Sequence, residues 1–152
     1  MKVRTMMTRN PVCCTPETSV QAVADLMKKH DVGSVPVIAD SGSRHLEGIV
    51  TDRDLCCKVL AGGLRAHATP VKRVMTRNPV TCKPEDMLQT CERLMQKNRI
   101  RRIPVVDENN SCVGIVALAD LCQYASPSTI CRTLATISKP NRSVRHLHRA
   151  AA

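Results

Sequence analysis

The stretch Met7-Thr8-Arg9-Asn10-Pro11-Val12 occurs a second time, letter for letter, as Met75-Thr76-Arg77-Asn78-Pro79-Val80. From Met7 to Glu17, 9 of 11 residues match their counterparts 68 positions later. Chance does not produce this identity, so the chain is a tandem duplication. Because there are two copies and their period exceeds that of solenoid repeats, two packed subdomains are expected rather than an array.

Both copies have the same predicted order of elements, β-α-β-β-α, which indicates the α/β (α+β) class. Repeat 1 is assigned to residues 1–66 and repeat 2 to residues 67–125. A C-terminal helix is predicted over residues 126–138, with its apolar face at 3.6-residue spacing. Residues 139–152 are basic and polar and are predicted to be disordered. The expected apolar face of the C-terminal helix consists of Ile130, Leu134 and Ile137.

The first helix of each repeat has a predicted cap at its N-terminus. In repeat 1, Thr18 and Gln21 have the spacing of a capping box. In repeat 2, Asp86 and Gln89 take the equivalent positions.

The apolar composition predicts an unusual core. Tyr124 is the only aromatic residue, so Val, Ile, Leu, Met and Cys must fill the interior. The longest apolar run, Cys112 to Ala119, is far too short to cross a bilayer, and nothing resembles a signal peptide. We therefore expect a cytoplasmic protein with no membrane partner.

Nine cysteines raise the questions of disulfides, metal binding and redox chemistry. Their number is odd, and Cys13-Cys14 and Cys56-Cys57 are adjacent pairs rather than C-x-x-C motifs. We expect no metal site; the only close histidine pair is His146-x-His148. A redox sensor built on either adjacent pair remains an alternative, and it requires an exposed thiol of low pKa. Five cysteines occupy positions where the repeat pattern calls for apolar or small side chains, and they are expected to be buried: Cys14, Cys82, Cys91, Cys112 and Cys122.

The net charge of +10 is unevenly distributed. Residues 125–152 contain five basic residues and no acidic one, which accounts for half of the excess. Nucleic-acid binding through this tail is an alternative function, because positive charges attract phosphates. Single-strand binders usually add aromatic stacking surfaces, which one tyrosine does not supply, so nucleic acid is not the expected partner.

A second repeated motif ends each predicted hairpin. It reads Gly48-Ile49-Val50-Thr51-Asp52-Arg53-Asp54 in repeat 1 and Gly114-Ile115-Val116-Ala117-Leu118-Ala119-Asp120 in repeat 2. Thr-x-x-Asp at a helix start is also a plain capping arrangement. Repeat 2 has lost the hydroxyl and has kept the acid, which weakens that explanation. A carboxylate can accept both hydroxyls of a ribose, and a helix N-terminus can hold a phosphate, so the motif indicates a nucleotide.

The three motifs in order, twice, resemble a pair of CBS domains, also called a Bateman module. They are Met-Thr-x-x-Pro-Val, then Val35-Pro36-Val37 or Ile103-Pro104-Val105, then the Gly-to-Asp motif, and the resemblance covers about residues 1–125. It implies tandem β-α-β-β-α repeats packed about a pseudo-twofold axis. It also implies an adenosine ligand (AMP, ADP, ATP or S-adenosylmethionine) in the cleft between the repeats, and a homodimer.

The resemblance implies two sites, each formed by the aspartate of one repeat and the strands of the other. Its first site contains Thr51, Arg53, Asp54, Val80, Lys83, Arg101, Arg102, Ile103 and Pro104. Its second site contains Asp120, Val12, Thr15, Ser34, Val35 and Pro36.

Both sites depart from the family pattern. In the second, Ala117 replaces the threonine, and Gly33-Ser34 stand where the first site has arginines. In the first, Lys83 stands where the other copy has Thr15. Guanidinium groups suit phosphate oxygens, so the first site is expected to favour phosphorylated ligands. The second is expected to bind adenosine weakly or to stay empty.

The leading expectation is a stand-alone regulatory sensor that binds an adenine nucleotide, requires no cofactor and acts on a protein the sequence does not identify. No nucleophile and base in plausible array and no Walker loop are present in the sequence, so it is not expected to be an enzyme. The alternative within the same fold is a dimerisation scaffold that binds no ligand.

Overall fold

The computed structural model describes residues 1–139. The predicted tail beyond Lys139, with His146-x-His148, lies outside this range. Helices are α1 (Val3–Met6), α2 (Val20–His30), α3 (Asp52–Asp54), α4 (Leu88–Asn98), α5 (Leu118–Tyr124) and α6 (Pro127–Ile137). Strands are β1 (Thr8–Arg9), β2 (Ser34–Ile38), β3 (Leu46–Thr51), β4 (Thr76–Arg77), β5 (Arg102–Val106) and β6 (Cys112–Ala117).

The predicted second helix of repeat 1 is not α-helical throughout. Its first turn is α3, and it continues directly as a π-helical segment, Leu55–Leu60. Two short 3-10 turns, Ala66–Ala68 and Val71–Arg73, connect the repeats. Within residues 1–139, none of the helices has the length and apolar character needed to cross a membrane.

Two antiparallel three-stranded sheets form the centre of the molecule, in the orders β1-β6-β5 and β2-β3-β4. Each sheet combines the hairpin of one repeat with the short first strand of the other. Thr8 pairs with Ile115 of β6, and Thr76 pairs with Ile49 of β3. The duplicated segment therefore exchanges partners: each copy completes the sheet of the opposite repeat.

The residues before each exchanged strand also dock on the opposite repeat. The backbone N–H of Val3 donates to Asp86 O at 2.8 Å, and that of Val71 donates to Thr18 O at 2.8 Å. Val3 is fully buried among repeat 2 residues, and Val71 is fully buried among repeat 1 residues. Because these contacts bury apolar side chains, the two repeats are folded as one intertwined unit.

Glycine in the second motif makes this exchange possible. Gly48 lies opposite Arg77, and a Cβ built on Gly48 would lie 2.8 Å from both Met75 Sδ and Thr76 O. A Cβ built on Gly114 would lie 2.6 Å from Met7 Sδ. These contacts are too short for a side chain, so only glycine lets the Met-Thr backbone and the methionine approach so closely.

A pseudo-twofold axis relates the two repeats, as the resemblance implied. The N–H of Leu46 donates to Asn110 O at 2.9 Å, and the N–H of Cys112 donates to Arg44 O at 2.8 Å. Arg44 and Asn110, which correspond in the two copies, both have left-handed backbone, with φ of 51° and 60°. At this junction a small apolar cluster joins the hairpin ends; it consists of Ile38, Leu46, Val106 and Cys112.

The core is aliphatic and sulfur-rich, as the composition predicted. Cysteine side chains contribute to it as small apolar groups, and the structure buries four of the five expected there: Cys14, Cys82, Cys91 and Cys112. The prediction for Cys122 was wrong, because this residue is exposed on α5. Its neighbour Leu121 is buried, and one residue further along a helix points about 100° away.

The predicted helix caps were also wrong, each by one residue. The N-caps are Ser19, whose Oγ accepts from Ala22 N–H at 3.2 Å, and Met87, which has no side-chain cap. Thr18 Oγ1 instead accepts from Thr15 N–H at 3.1 Å. Asp86 similarly accepts from Lys83 N–H at 2.7 Å. These side chains close the bend before the helix, so they are not available to cap it.

The C-terminal helix α6 packs on α4 and α5 through a partly polar face. Thr133 is 1% exposed and Ile137 8%, whereas Leu134 is 41% exposed, so the predicted inward position of Leu134 was wrong. The carboxylate of Glu92 explains the rotation. It is buried on α4 and accepts hydrogen bonds from Thr133 Oγ1 at 3.3 Å and Gln96 Nε2 at 3.1 Å. A buried carboxylate needs such donors, and Thr133 supplies one.

We predict that Gly48→Ala lowers the free energy of unfolding by about 1–3 kcal/mol, the usual cost of overpacking. The new methyl group would meet the backbone oxygen of Thr76, which cannot move without disturbing the strand pair. Urea denaturation measures the change. Gly42→Ala, in an exposed hairpin loop, is the matched control, and equal stability of the two variants would contradict the account.

We predict that Ile137→Ala lowers the free energy of unfolding by about 2 kcal/mol, because it removes a buried side chain of the repeat 2 core. Leu134→Ala on the same helix is expected to change it by less than about 0.5 kcal/mol, since this side chain is exposed. Thermal and urea unfolding of both variants compare the two faces directly. A larger loss from Leu134→Ala would show that α6 docks through its other face.

Candidate functional site

The helix start in repeat 1 is a complete capping box formed by Thr51 and Asp54. Asp54 N–H donates to Thr51 Oγ1 at 3.2 Å, and Thr51 N–H donates to Asp54 Oδ2 at 2.9 Å. The Thr51 hydroxyl donates to the same carboxylate oxygen at 2.8 Å. The motif therefore does cap the helix. The same contacts also fix the hydroxyl and the carboxylate beside one another at the exposed first turn.

The second oxygen of Asp54 is paired with a residue that the motif does not contain. Lys58 Nζ lies 2.8 Å from Asp54 Oδ1 and also donates to Val74 O at 2.7 Å. The spacing of four residues between acid and base is a signal that sequence reasoning could have used. The Lys58 side chain is 46% exposed and that of Asp54 is 14% exposed, so a ligand that replaced the lysine at this carboxylate would let the ammonium return to water.

The corresponding carboxylate in repeat 2 has fewer partners among residues 1–139. Asp120 Oδ2 accepts from Ala117 N–H at 2.7 Å, which preserves half of the capping box. Ala117 has no hydroxyl, and no lysine pairs with Asp120 within residues 1–139. The two aspartates thus occupy equivalent positions and accept from equivalent backbone N–H groups. Only Asp54 also has a hydroxyl and a lysine as side-chain partners.

The strands predicted to face the ligand lie beside the aspartate of their own repeat. Ser34 pairs with Thr51 and Arg102 with Ala117, each at the end of a hairpin. The N–H of Cys14 donates to Pro36 O, which places Val12 to Thr15 on the same sheet edge. In repeat 2 the N–H of Cys82 donates to Pro104 O, which places Val80 to Lys83 on the corresponding edge of the other sheet. These hydrogen bonds organise each repeat separately.

One predicted site residue reaches across from repeat 2 to repeat 1. The guanidinium of Arg102 lies beside Gly33 and Asp52: a Cβ built on Gly33 would be 2.5 Å from Arg102 Nη2 and 2.7 Å from Asp52 Oδ2. Asp52 is the first residue of α3, directly after Thr51. Arg102 therefore lies at the helix start that carries Thr51 and Asp54, and the missing side chain of Gly33 provides its space.

The other predicted residues lie further from this point or present only their backbone. Val35 and Ile103 are fully buried in the two cores, so a ligand could contact only their main chain. Arg53 and Arg101 are exposed. Lys83 is turned toward the hairpin loop, where its Nζ donates to Asp107 O at 2.6 Å.

The structure also bears on the alternatives raised by the cysteines and histidines. Within residues 1–139, no three His, Cys, Asp or Glu side chains are grouped as metal ligands would be. All nine cysteines are free thiols. Burial raises the pKa of Cys14 to about 12, with a further contribution from the neighbouring Cys13, so this thiol does not meet the requirement for a redox sensor.

Comparison with known proteins assigns the two repeats to a family. The sequence model of the CBS domain matches residues 3–60 and 71–126. The chain is 41% identical over 119 residues to the CBS domain-containing protein YhcV of Bacillus subtilis, which covers 78% of this chain and 81% of that protein. It is also 34% identical over 116 residues to homoserine O-acetyltransferase of Methanocorpusculum labreanum, but this match spans only 22% of the enzyme.

Solved structures agree with the fold. The structure of CBSX2 in complex with AMP has a TM-score of 0.69 and 28% identity, over 82% of this chain and 95% of that one. The CBS domain pair of MJ0100, in complex with 5'-methylthioadenosine and S-adenosyl-L-methionine, has a TM-score of 0.73 and 26% identity. The match covers 81% of this chain and 94% of that one. With both repeats matched and the exchanged sheets in place, the chain belongs to the CBS domain family as a tandem pair of such domains.

Proposed function

We propose that this CBS pair is a regulatory module that binds an adenine nucleotide of the AMP, ADP or ATP class between its repeats. The observation that carries the proposal is the position of Arg102, which extends from repeat 2 to the start of α3 in repeat 1. A cation, a hydroxyl and a carboxylate from different repeats thereby converge at one point. The AMP complex of CBSX2 supports the choice of ligand, since that protein is similar over most of this chain.

The phosphate group would bind between Arg102 and the Thr51 hydroxyl. A guanidinium binds phosphate oxygens through charge-assisted hydrogen bonds. The Thr51 hydroxyl donates to Asp54 in this structure and would turn to donate to the phosphate. Asp52 lies near the same guanidinium and would repel a phosphate, so Arg102 must turn from this acid toward the ligand.

The ribose would bind to Asp54. One carboxylate oxygen already accepts from the backbone and hydroxyl of Thr51, and the other is held by the exposed Lys58. A ribose diol can replace the lysine at the second oxygen, because an exposed ion pair contributes only about 0–1 kcal/mol. The released Lys58 ammonium would remain close to the phosphate and add to its attraction.

The second site, built on Asp120, has a free carboxylate oxygen for a ribose and lacks the phosphate ligands. Ala117 has no hydroxyl to offer, and Gly33-Ser34 occupy the positions that correspond to Arg101-Arg102. We therefore expect this site to accept uncharged adenosine derivatives more readily than nucleotides. S-adenosylmethionine is a further candidate ligand, in line with the complex of MJ0100.

Regulation, rather than catalysis, is the role that these features support. The match to homoserine O-acetyltransferase covers a small part of that enzyme, so its activity does not extend to this chain. A sensor of this kind acts through an assembly, and we propose a homodimer that responds to the nucleotide and controls another protein.

We predict that Asp54→Ala weakens AMP binding by about tenfold or more, the loss expected for hydrogen bonds to a charged group. Asp120→Ala is the matched control, because it removes the same carboxylate from the repeat without Thr51. Calorimetric titration of AMP into both variants gives the two dissociation constants. A larger effect of Asp120→Ala would reverse the assignment of the sites, and absence of AMP binding by the unchanged protein would favour a ligand-free scaffold.

We predict that Gly33→Ala weakens AMP binding about tenfold and leaves adenosine binding unchanged. The new methyl group would displace the end of the Arg102 side chain, which is flexible, so the fold is retained. Arg102→Ala should have the same effect on AMP. The double variant tests whether Gly33 acts through Arg102. If it does, the double variant binds AMP no worse than Arg102→Ala alone. Additive losses would show that Gly33 matters for another reason.

A further inference from the structure

Cys13, Arg44 and Cys112 form a cluster at the junction of the two repeats that the duplication does not explain. The corresponding residues in the other copy are Thr81, Asn110 and Leu46. None of the three therefore has the same residue at its symmetry-related position, and all three lie together on one side of the pseudo-twofold axis.

The Arg44 side chain holds both cysteine residues. Its Nη2 lies 3.2 Å from Cys13 Sγ and 3.1 Å from Pro11 O, and its Nε donates to Cys112 O at 3.0 Å. The backbone oxygen of Arg44 also accepts from Cys112 N–H at 2.8 Å. These four contacts fix the position of Cys112 on β6 relative to Cys13.

The two thiols differ in accessibility and in charge environment. Cys112 is fully buried in the apolar cluster at the junction, and Cys13 is half-buried and packs against this cluster. The neighbouring Cys112 thiol, together with the charge and hydrogen bond of Arg44, lowers the pKa of Cys13 despite its partial burial. The Cys112 Sγ itself donates to Gly114 O at 3.7 Å. The interaction with the Cys13 thiol and burial raise the pKa of Cys112. Cys13 is thus the nucleophile of the pair, since the thiolate is the reactive form.

We propose that Cys13 is a peroxide-reactive modification site and that Cys112 resolves the oxidised Cys13 as a disulfide between the two repeats. The segment that follows β1 in repeat 1 would then be joined covalently to β6 of repeat 2. The reaction requires no adenosine ligand, so it can be tested on the ligand-free protein, whether or not the proposed nucleotide binding holds.

The reaction has two steps, with hydrogen peroxide as the oxidant. The Cys13 thiolate attacks one peroxide oxygen; an S–O bond forms, the O–O bond breaks and hydroxide leaves, giving a sulfenic acid. The Cys112 sulfur then attacks the Cys13 sulfur; the S–S bond forms, the S–O bond breaks, and the departing hydroxide takes the Cys112 proton as water. Two thiols are oxidised by two electrons in total, and one peroxide is reduced to two waters.

Peptide mapping of the reduced full-length chain after treatment with one equivalent of hydrogen peroxide tests the proposal. The expected product is an intramolecular Cys13–Cys112 disulfide with the loss of two thiols. Cys112→Ala is expected to leave a sulfenic acid on Cys13 that dimedone traps, and Cys13→Ala is expected to abolish both products. Cys56→Ala, at an exposed cysteine outside the cluster, is the matched control and should behave as the unchanged protein.

The rate of oxidation tests the role of Arg44. Arg44→Gln removes the charge, which lowers the thiolate fraction of Cys13 and is expected to slow its oxidation. Arg44→Lys retains the charge and should keep most of the rate, and a thermal melt confirms that each variant is folded. An unchanged rate in Arg44→Gln, earlier oxidation of Cys56, or absence of a trapped sulfenic acid in Cys112→Ala would each overturn the proposal.

Discussion

The exchange of the short Met-Thr-Arg strand between the repeats is the constraint on which the rest of the structure depends. It places Met7 over Gly114 and Met75 over Gly48, at contacts that leave no room for a Cβ at either glycine unless the methionine or the strand shifts. Because each sheet is completed by the other repeat, neither core closes alone. The hairpin ends then meet about the pseudo-twofold axis, and the helix starts that carry Asp54 and Asp120 are fixed in equivalent positions.

Much of this fold could be predicted from the repeat itself. Identical segments in similar surroundings form similar structures, so the order of elements, the hairpins and the twofold relation followed from comparing the copies. The partner of each first strand could not be predicted, because a two-residue strand carries no periodicity that identifies its neighbour. The helix caps failed for a related reason: Thr18 and Asp86 can bond to several nearby N–H groups, and the choice depends on the bend that precedes the helix.

The residues of the candidate site could be predicted from the sequence, whereas the positions of their side chains could be predicted less well. The capping box of Thr51 and Asp54 was an anticipated alternative, and it leaves the second carboxylate oxygen of Asp54 to Lys58, which a ligand would have to replace. The course of the Arg102 side chain was not predictable, since it depends on space at Gly33 in a different repeat. The copies therefore differ at two adjacent positions in a complementary way: Gly33, which stands where the other copy has Arg101, leaves space for Arg102 of the other repeat.

The strand exchange also has a consequence for folding during synthesis. Thr8 pairs with Ile115, so the ribosome adds more than a hundred residues, over roughly 5–20 s, before the native partner of β1 exists. The edge of β3 forms much earlier, and its native partner β4 is identical in sequence to β1. Until Thr76 and Arg77 are made, the first copy is the only strand of that sequence available to this edge. The duplication thus offers the edge of β3 a non-native partner, and a β1 strand that has paired there must separate before the two sheets can be completed.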